Sequence, residues 1–440
     1  MATGNDRKQA LLKIVKSAIQ AMDPESATKG SIRVEGDVVY LAKTPIKLGE
    51  LGKLRVLAIG KAAIGMARGA HAALSSIIED TLVVSNVSPR GSGFKIVEGA
   101  HPLPDSSSEK AGRAVLEFVS GLGPNDRVLV LLSAGAATMV CSPPDGVDLK
   151  SKAKMTELLQ RSGAPMNDVN VVRKHLSSIK GGFLLQAAAP AQLITLAISD
   201  IPNDYTDAMS AGLTSYDSST FAQALQIIEK YDLVADTPKP VMTYLRAGAE
   251  GKVAETPKPV IGRTAPPVHI IRSPRDLVSA ASRACEATGM APQLPYPLAD
   301  GPIEEVARRY GMWMHQARSK LLQRPIVLVG AGEPRVTVTG KGIGGRCEHL
   351  ALLMVKYLDG DKGATFVASA TDGIDGHEAS SGAAITDQTA KKARDKKLLP
   401  EKLAEKFDSY KFHDEMGTSL PGKATETAVG DLHLLCLEPG

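Results

Sequence analysis

Aromatic residues are scarce in this 440-residue chain: they make up 4% of it, and there is one tryptophan. Apolar residues nevertheless account for 43%, so the chain can bury a large core, and that core must be mainly aliphatic. The formal net charge is only +4. Lysine and arginine are scattered among acids, without a basic stripe and interleaved aromatics, which argues against a nucleic-acid partner.

Cysteine is also rare, and no C-x-x-C pair or H-E-x-x-H spacing occurs. We therefore expect buried thiols in a reducing cytoplasm and no structural zinc site; the cysteines are Cys141, Cys285, Cys347 and Cys436. The N-terminal segment has the pattern of an amphipathic helix and lacks the apolar core of a signal peptide. No apolar run is long enough to span a membrane, so we expect no membrane partner.

In the first half of the chain, apolar strands alternate with helices. The strands Leu54–Ile59, Arg127–Leu132 and Leu193–Ile198 are almost purely apolar, which is typical of a parallel sheet covered by helices on both faces. Ligands bind outside the carboxyl ends of such strands, where Lys61, Ser133 and Asp200 lie. We therefore predict an α/β fold with a site at this edge.

A change of composition follows. Thr237–Pro240 is repeated as Thr256–Pro259, which indicates a connector rather than a structural repeat. We place a domain boundary here and predict two domains, residues 1–240 and 241–440. In the second domain, residues 274–288 and 303–322 have helical periodicity, and strands are predicted at 326–329, 336–339, 365–370 and 431–437.

A glycine-rich loop, residues 340–346, connects a predicted strand to a helix. Glycines allow close approach of a ligand, and the N–H groups of such a loop and of a helix N-terminus form an anion site, to which Lys341 and Arg346 add charge. The loop also contains G-x-G-x-x-G, so a dinucleotide site is an alternative. Against it, residues 336–339 alternate apolar and polar, whereas that motif follows a buried parallel strand.

Charged residues cluster at the other predicted strand ends and turns. Cations that suit a phosphate are Lys61, Arg173, Lys174 and Lys180, although a charge run is more often a solvated face. Carboxylates that suit Mg²⁺ or an attacking hydroxyl are Asp200, Glu333 and Asp372, although aspartate in turns often only hydrogen-bonds its own backbone. Cations with carboxylates, and no metal–thiolate set, favour phosphoryl transfer.

Several motifs make the chain resemble the class of glycerate kinases that carry a C-terminal MOFRL domain, some of whose members are labelled hydroxypyruvate reductases. The resemblance covers nearly the whole chain. The matching segments are Ile59–Ala63, His101–Asp105, Val172–Ser177, Ile179–Gly182, Ala197–Asp200, Thr256–Pro259, Gly344–Arg346 and Thr371–Gly376.

The resemblance implies a Rossmann-like parallel-sheet N-terminal domain and a smaller α/β MOFRL-type domain, with the active site in the cleft between them. It implies ATP-dependent phosphorylation of D-glycerate to 2-phosphoglycerate with Mg²⁺. Lys61, Arg346 and Asp200 are then the catalytic residues, and Asp200 and Asp372 are the metal candidates. The predicted substrate- and nucleotide-binding residues are Ser133, Gly135, Ala136, Arg173, Lys174, Lys180, Glu333, Gly344, Gly345 and Asp372. The implied binding partner is a small hydroxy acid, and the resemblance is compatible with a homodimer.

The loops expected to line the ligand depart from the family pattern. Ser-Gly-Gly-x-Ser is replaced by Ser133–Ala137, Gly-Asp by Asn203–Asp204, Gly-Glu-Thr by Gly332–Pro334, and Arg-Asn-Gln-Glu by Arg346–His349. Such changes alter selectivity more than fold. A related hydroxy acid is therefore a possible substrate, and the alternatives are an NAD(P)H-dependent hydroxypyruvate reductase and a non-catalytic ligand-binding protein.

Overall fold

The computed structural model describes residues 3–89, 91–201, 209–259, 265–294 and 299–439. The chain groups into two compact units. The parallel-sheet unit consists of Pro24–Ser199 and Asp204–Ile271, and the mixed-sheet unit of Met1–Asp23, Asp200–Asn203 and Arg272–Gly440. The predicted domain boundary at residue 240 stays a prediction.

Strands are numbered along the chain. They are β1 (Ile32–Glu35), β2 (Val38–Leu41), β3 (Thr44–Lys47), β4 (Leu54–Ile59), β5 (Ile78–Ser85), β6 (Lys95–Glu98), β7 (Arg127–Leu132), β8 (Gln192–Ile198), β9 (Val268–Arg272), β10 (Ala291–Gln293), β11 (Ile326–Gly332), β12 (Ala364–Ala370), β13 (Ser380–Thr386), β14 (Ser419–Pro421) and β15 (Asp431–Leu437).

Helices are numbered in the same way. They are α1 (Gly4–Gln20), α2 (Pro24–Gly30), α3 (Ala63–Leu74), α4 (Ser106–Val119), α5 (Ala136–Met139), α6 (Leu149–Arg161), α7 (Met166–His175), α8 (Phe183–Ala188), α9 (Phe221–Lys230), α10 (Lys239–Ala249), α11 (Pro274–Ala287), α12 (Ile303–Arg318), α13 (Arg346–Leu358), α14 (Thr389–Asp395), α15 (Pro400–Glu405) and α16 (Ser409–Met416). No helix in the described ranges is both long and apolar enough to cross a membrane.

The parallel-sheet unit is built on one six-stranded sheet in the order β6-β5-β4-β7-β8-β9. Strand β4 pairs in parallel with β5 and with β7, and β7 pairs in parallel with β8. Strands β4, β7 and β8 are buried along nearly their whole length, as expected of a sheet covered on both faces. The predicted parallel α/β architecture is confirmed, and the carboxyl ends of β4 and β7 meet at one edge.

The mixed-sheet unit contains a second six-stranded sheet, in the order β10-β11-β15-β12-β13-β14. The last strand, β15, lies between β11 and β12 and is antiparallel to both. The carboxyl ends of β11 and β12 and the amino end of β15 therefore lie at one edge. Every residue of β12 and β15 is buried, and helices α12 and α13 contribute to the same apolar core.

Most predicted elements are confirmed within a few residues, because they rest on long apolar runs or on helical periodicity. The strand predicted at 336–339 is wrong. Those four residues form no strand, and Arg335 before them makes only an isolated bridge with Pro302. The chain then turns to the segment after α15, where the Gly342 N–H donates to the Lys406 carbonyl at 3.0 Å. Alternation without a partner strand does not make a sheet.

Helix α1 belongs to the mixed-sheet unit and packs against α11 and β12. A capping box of Thr3 and Asp6 starts it, and its buried face carries Leu11, Ile14 and Val15. The same face buries Arg7, whose Nη2 lies 3.1 Å from Asp387 Oδ1 and whose Nε donates to Thr365 Oγ1 at 3.1 Å. This buried ion pair fixes the helix to the far end of β12 and β13.

We expect Arg7→Met to lower the free energy of unfolding by about 3–5 kcal/mol, because Asp387 loses the cation that compensates its burial. Urea unfolding followed by the fluorescence of Trp313 reports on this unit, since Trp313 is the single tryptophan and lies on α12. The matched control is Arg394→Met, which removes the exposed pair with Asp359 and costs about 0–1 kcal/mol. Equal losses in the two variants would contradict the assigned role of Arg7.

Candidate active site

Lys61 follows β4, where this strand meets the loop after β7. Its N–H donates to the Ala134 carbonyl at 2.9 Å, and the next N–H, of Ala62, donates to Ser133 Oγ at 3.0 Å. Gly60 has φ +126°, and a Cβ there would lie 2.3 Å from Ser133 Oγ, so only glycine fits. The structure thus brings together the predicted residues Lys61 and Ser133.

The loop after β7 turns through Gly135, at φ +86°, into the short helix α5 that begins at Ala136. A Cβ on Gly135 would lie 3.5 Å from Lys61 Cγ and 3.1 Å from His101 Cδ2. The Lys61 side chain therefore runs along this loop beside His101. His101 was not among the predicted site residues, although its His-Pro-x-Pro-Asp motif could have signalled it.

The basic segment on and after α7 is buried rather than solvated. Lys174 pairs with the buried carboxylate of Asp217 at 3.3 Å, and Lys180 Nζ donates to the Val140 carbonyl just after α5. Burial lowers the pKa of Lys180 well below its usual value, and the neighbouring Lys152 lowers it further. Burial also lowers the pKa of Lys152 to about 8. Lys174 is therefore engaged in an internal ion pair and Lys180 in a hydrogen bond to a backbone carbonyl, and their predicted binding role stays a prediction.

Arg173 differs from its neighbours. It is 7% exposed, and no hydrogen bond or ion pair joins its guanidinium to another residue that the structure describes. Burial lowers its pKa to about 10, with the Cys141 thiol acting in the opposite direction. A buried guanidinium without a carboxylate is costly unless an anion supplies the missing charge. Of the predicted basic residues on α7, Arg173 is thus the better candidate for anion binding.

The glycine-rich loop of the mixed-sheet unit approaches the protein's own chain. A Cβ on Gly342 would lie 2.5 Å from the Phe407 carbonyl, one on Gly344 2.0 Å from Ser409 Oγ, and one on Gly345 2.2 Å from the Asp375 carboxylate. These contacts account for the glycines without a ligand. The predicted binding role of Gly344 and Gly345 stays a prediction.

Asp375 occupies the N-terminus of α13. Its carboxylate accepts from the Cys347 N–H at 3.1 Å and from the Glu348 N–H at 2.8 Å. An internal carboxylate therefore already uses two of the N–H groups that the glycine-rich sequence predicts to bind an external anion. Burial, together with the charge of Asp431, raises the pKa of Asp375 to about 7.

Arg346, the first residue of α13, is held by two carboxylates. Its Nη1 lies 2.7 Å from Glu333 Oε2, and its Nε and Nη2 lie 3.1 and 3.3 Å from the two oxygens of Asp431. The arginine side chain is 39% exposed, whereas that of Asp431 is 2% exposed. Burial alone would lower the pKa of Arg346, but Asp431 and Glu333 hold it well above its usual value. The guanidinium is therefore both fixed and partly accessible.

Carboxylates gather at the edge of the mixed sheet because of its strand order. Glu333 follows β11, Asp372 lies just beyond β12, and Asp431 begins β15, which pairs with both strands. Burial raises the pKa of Asp431, and the nearby charge of Asp372 raises it further, against the effect of Arg346. Asp372 also accepts from the Ile374 N–H at 3.1 Å, which is the turn role given above as its alternative.

Asp200 groups with this edge rather than with the unit that contains β8. Its carbonyl lies 3.6 Å from the point where a Cβ on Gly430 would be, and Glu333 Cγ lies 3.7 Å from the same point. The predicted residues Asp200, Glu333, Arg346 and Asp372 thus belong to one region. Asp204, noted in the sequence, lies outside the described residues. Asp431 was missed as a site residue, although its place at the start of an apolar strand could have signalled it.

The raised pKa of Asp375 predicts a pH-dependent stability. Because the folded state binds this proton more tightly than the unfolded chain, the free energy of unfolding falls as the pH rises from the unfolded pKa through about 7. Relative to Asp375→Asn, the wild type should lose about 2 kcal/mol between about pH 5 and pH 7. Urea titrations of both proteins across this range measure the difference, and a pH-independent difference would contradict the assignment.

Known proteins match the chain over its whole length. A domain of unknown function, DUF4147, matches residues 10–246, and the MOFRL family matches residues 326–431. D-glycerate 2-kinase of Thermotoga maritima is 32% identical over 97% of both chains. Glycerate 2-kinase of Pyrococcus horikoshii is 31% identical over 97% of this chain and 96% of its own. A protein named as a hydroxypyruvate reductase, from Agrobacterium vitis, is 32% identical over 99% of this chain and 96% of its own.

Comparison with solved structures leads to the same group of proteins. A crystal structure of glycerate kinase from Thermotoga maritima superposes with a TM-score of 0.77, at 31% identity, covering 99% of this chain and all of the other. A Pyrococcus horikoshii structure gives a TM-score of 0.71 at 30% identity, covering both chains completely. The chain, with its DUF4147 and MOFRL domains, therefore belongs to the glycerate kinase family of phosphotransferases.

Proposed function

We propose that this protein uses ATP and Mg²⁺ to phosphorylate a small hydroxy acid, and that D-glycerate is converted to 2-phosphoglycerate. The observation that carries the proposal is the Arg346 guanidinium, fixed by Glu333 and Asp431 at the edge of the mixed sheet. A fixed and partly accessible cation suits a reaction in which positioning and charge stabilisation supply most of the catalysis.

Lys61 is the second catalytic cation of the proposal. It lies at the carboxyl edge of the parallel sheet, beside the loop of Ser133, Gly135 and Ala136. In the resemblance stated above, Lys61 and Arg346 act on one phosphoryl group from different domains. Their charges would neutralise the γ-phosphoryl oxygens as the bond to the leaving group breaks and the acceptor oxygen attacks.

The carboxylates of the mixed-sheet edge fit Mg²⁺, because this ion prefers oxygen ligands and negative charge. Several carboxylates there face one guanidinium, and the pKa of Asp431 is raised by its burial and further by the nearby charge of Asp372. Asp372 and Asp200 are the proposed ligands. Bound Mg²⁺ would neutralise phosphate charge, and Asp200 would also receive the proton of the attacking hydroxyl.

The small acid and the nucleotide would be held by the remaining predicted residues. The loop from Ser133 to Ala136 has backbone N–H groups at the N-terminus of a short helix, and Arg173 offers a buried guanidinium for an anionic group. Alanine at 134 and 137 in place of the family's glycine and serine changes the contacts available there. Because a single contact changes selectivity by roughly 1–3 kcal/mol, a relative of glycerate is a reasonable second substrate.

The reductase alternative has less support. A G-x-G-x-x-G dinucleotide loop follows a buried parallel strand, but residues 336–339 form no strand, and the three glycines of the motif lie against residues 406–408 and Asp375. The four cysteines are buried free thiols, which supports the proposed cytoplasmic location.

A panel of hydroxy acids tests the reaction. With Mg-ATP we expect ADP release that depends on D-glycerate or a closely related acid, and a phosphorylated acid as product. In parallel, NADH and hydroxypyruvate should give no oxidation. A known glycerate kinase provides the positive control. If no acid is phosphorylated while NADH is oxidised, the reductase alternative replaces the proposal. If nucleotide binds but neither reaction occurs, the protein is a non-catalytic binder.

Removal of either catalytic cation should abolish most turnover. We expect Lys61→Ala and Arg346→Ala each to lower kcat by at least about 10³-fold, because each removes charge stabilisation from the transition state. Arg346→Ala also leaves Asp431 without its partner, so Arg346→Lys and a thermal-unfolding comparison separate loss of folding from loss of catalysis. Near-normal turnover in either alanine variant would remove that residue from the mechanism.

A further inference from the structure

Three chemically different side chains converge next to Arg346, which is bonded to one of them, Asp431. The Cys347 sulfur, a carboxylate oxygen of Asp431 and a ring nitrogen of His433 all lie within 4.8 Å of one another, and all three residues are buried. Asp431 and His433 are two residues apart on β15 and so point to the same face of the sheet. Cys347 enters from the first turn of α13.

A second observation, an unsatisfied buried nitrogen on His433, also points to a ligand. The His433 side chain is fully buried, and its Nε2 has no hydrogen-bond partner among the residues that the structure describes. The other nitrogen, Nδ1, lies 3.0 Å from the Tyr310 hydroxyl. Whichever nitrogen carries the proton, Nε2 is an unsatisfied buried group, which costs about 1–3 kcal/mol.

The surroundings position the imidazole. Gly330 lies opposite His433 in the sheet, and a Cβ there would lie 2.2 Å from the Tyr310 hydroxyl. Glycine at this position therefore makes room for Tyr310 beside His433. A histidine that binds a metal through one nitrogen commonly donates its other N–H to a nearby oxygen, which fixes the ring. Nδ1 and the Tyr310 oxygen are placed for that bond.

We propose that Cys347, Asp431 and His433 form a binding site for a soft divalent cation of the zinc class. Thiolate, imidazole and carboxylate are the ligands that zinc takes in proteins, in a tetrahedral set whose fourth position is open to water. On binding, the Cys347 S–H bond breaks, the proton leaves to solvent, and a sulfur–metal bond forms. The thiolate then supplies one negative charge to the ion, and Asp431 shares its carboxylate between the ion and Arg346.

This site differs from the proposed magnesium site in its chemistry. Mg²⁺ prefers oxygen ligands and has little affinity for sulfur and nitrogen. Ligand spacing in the sequence predicts no zinc site, because such spacing patterns cover ligands that are close in the chain, whereas these ligands come from a helix and a distant strand. The one sequence signal is Cys347, which stands where the resembling family has asparagine.

Cobalt binding tests the proposal directly, because a cysteine–cobalt bond gives a thiolate-to-metal absorption band in the near ultraviolet. After treatment with a chelator and its removal, the full-length protein is titrated with Co²⁺. We expect one equivalent to bind with this band and with the visible bands of a tetrahedral site, and Zn²⁺ to displace it. A pH indicator should record about one proton released for each ion bound.

Variants assign the ligands. Cys347→Asn should abolish the charge-transfer band, and His433→Gln should weaken binding by at least about tenfold. Tyr310→Phe should weaken binding about tenfold, because it removes the oxygen that orients the imidazole. The matched control is Cys436→Ala, which removes a buried thiol on the opposite face of the same strand and should leave the band unchanged.

The proposal is overturned if folded wild-type protein shows no charge-transfer band with Co²⁺, or if the band persists in Cys347→Asn. Zinc K-edge absorption of the wild type needs no variant, and it must show one sulfur with nitrogen and oxygen neighbours. A coordination shell of oxygen alone would reject the site even if a variant fails to fold. These spectra do not involve the kinase reaction, so this proposal and the proposed function can fail independently.

Discussion

The pair formed by Arg346 and Asp431 is the interaction on which the site of the mixed-sheet unit depends. Asp431 is buried at the start of a strand that lies between two others, and a buried carboxylate requires a cation with good geometry. Arg346 supplies it through two nitrogens while a third reaches Glu333. The need to compensate a buried charge thus fixes the position of a guanidinium that is still partly accessible to a ligand.

The glycine-rich loop serves this arrangement in a way that its composition does not reveal. Its glycines allow the chain to pass close to residues 406–409 and to Asp375, so that α13 begins with Arg346 at the sheet edge. Asp375 accepts from the first N–H groups of α13 and is itself destabilised by burial and by Asp431. Electrostatic destabilisation of this kind, in which one buried carboxylate raises the pKa of another, is common at functional sites.

Much of the fold could be predicted because the strands are apolar over their whole length. Strands β4, β7 and β15 were predicted with their observed bounds, since continuous burial leaves a continuous apolar run. The strand predicted at residues 336–339 is wrong, because alternation of apolar and polar residues does not by itself provide a partner strand. The burial of Lys180 and Arg173 could not be predicted either. Whether such a long side chain is buried depends on the groups that it reaches in the folded protein, and these groups come from distant parts of the chain.

The central proposal is that Lys61 and Arg346 both contact the phosphoryl group during transfer. A crystal structure of the protein with Mg-ADP, tetrafluoroaluminate and D-glycerate measures these contacts directly, since the fluoroaluminate mimics the phosphoryl group during transfer. We expect the Lys61 ammonium and the Arg346 guanidinium each to lie within hydrogen-bonding distance of a fluoride, with the glycerate 2-hydroxyl in line. An ordered complex in which either side chain is far from the fluoroaluminate would contradict the account.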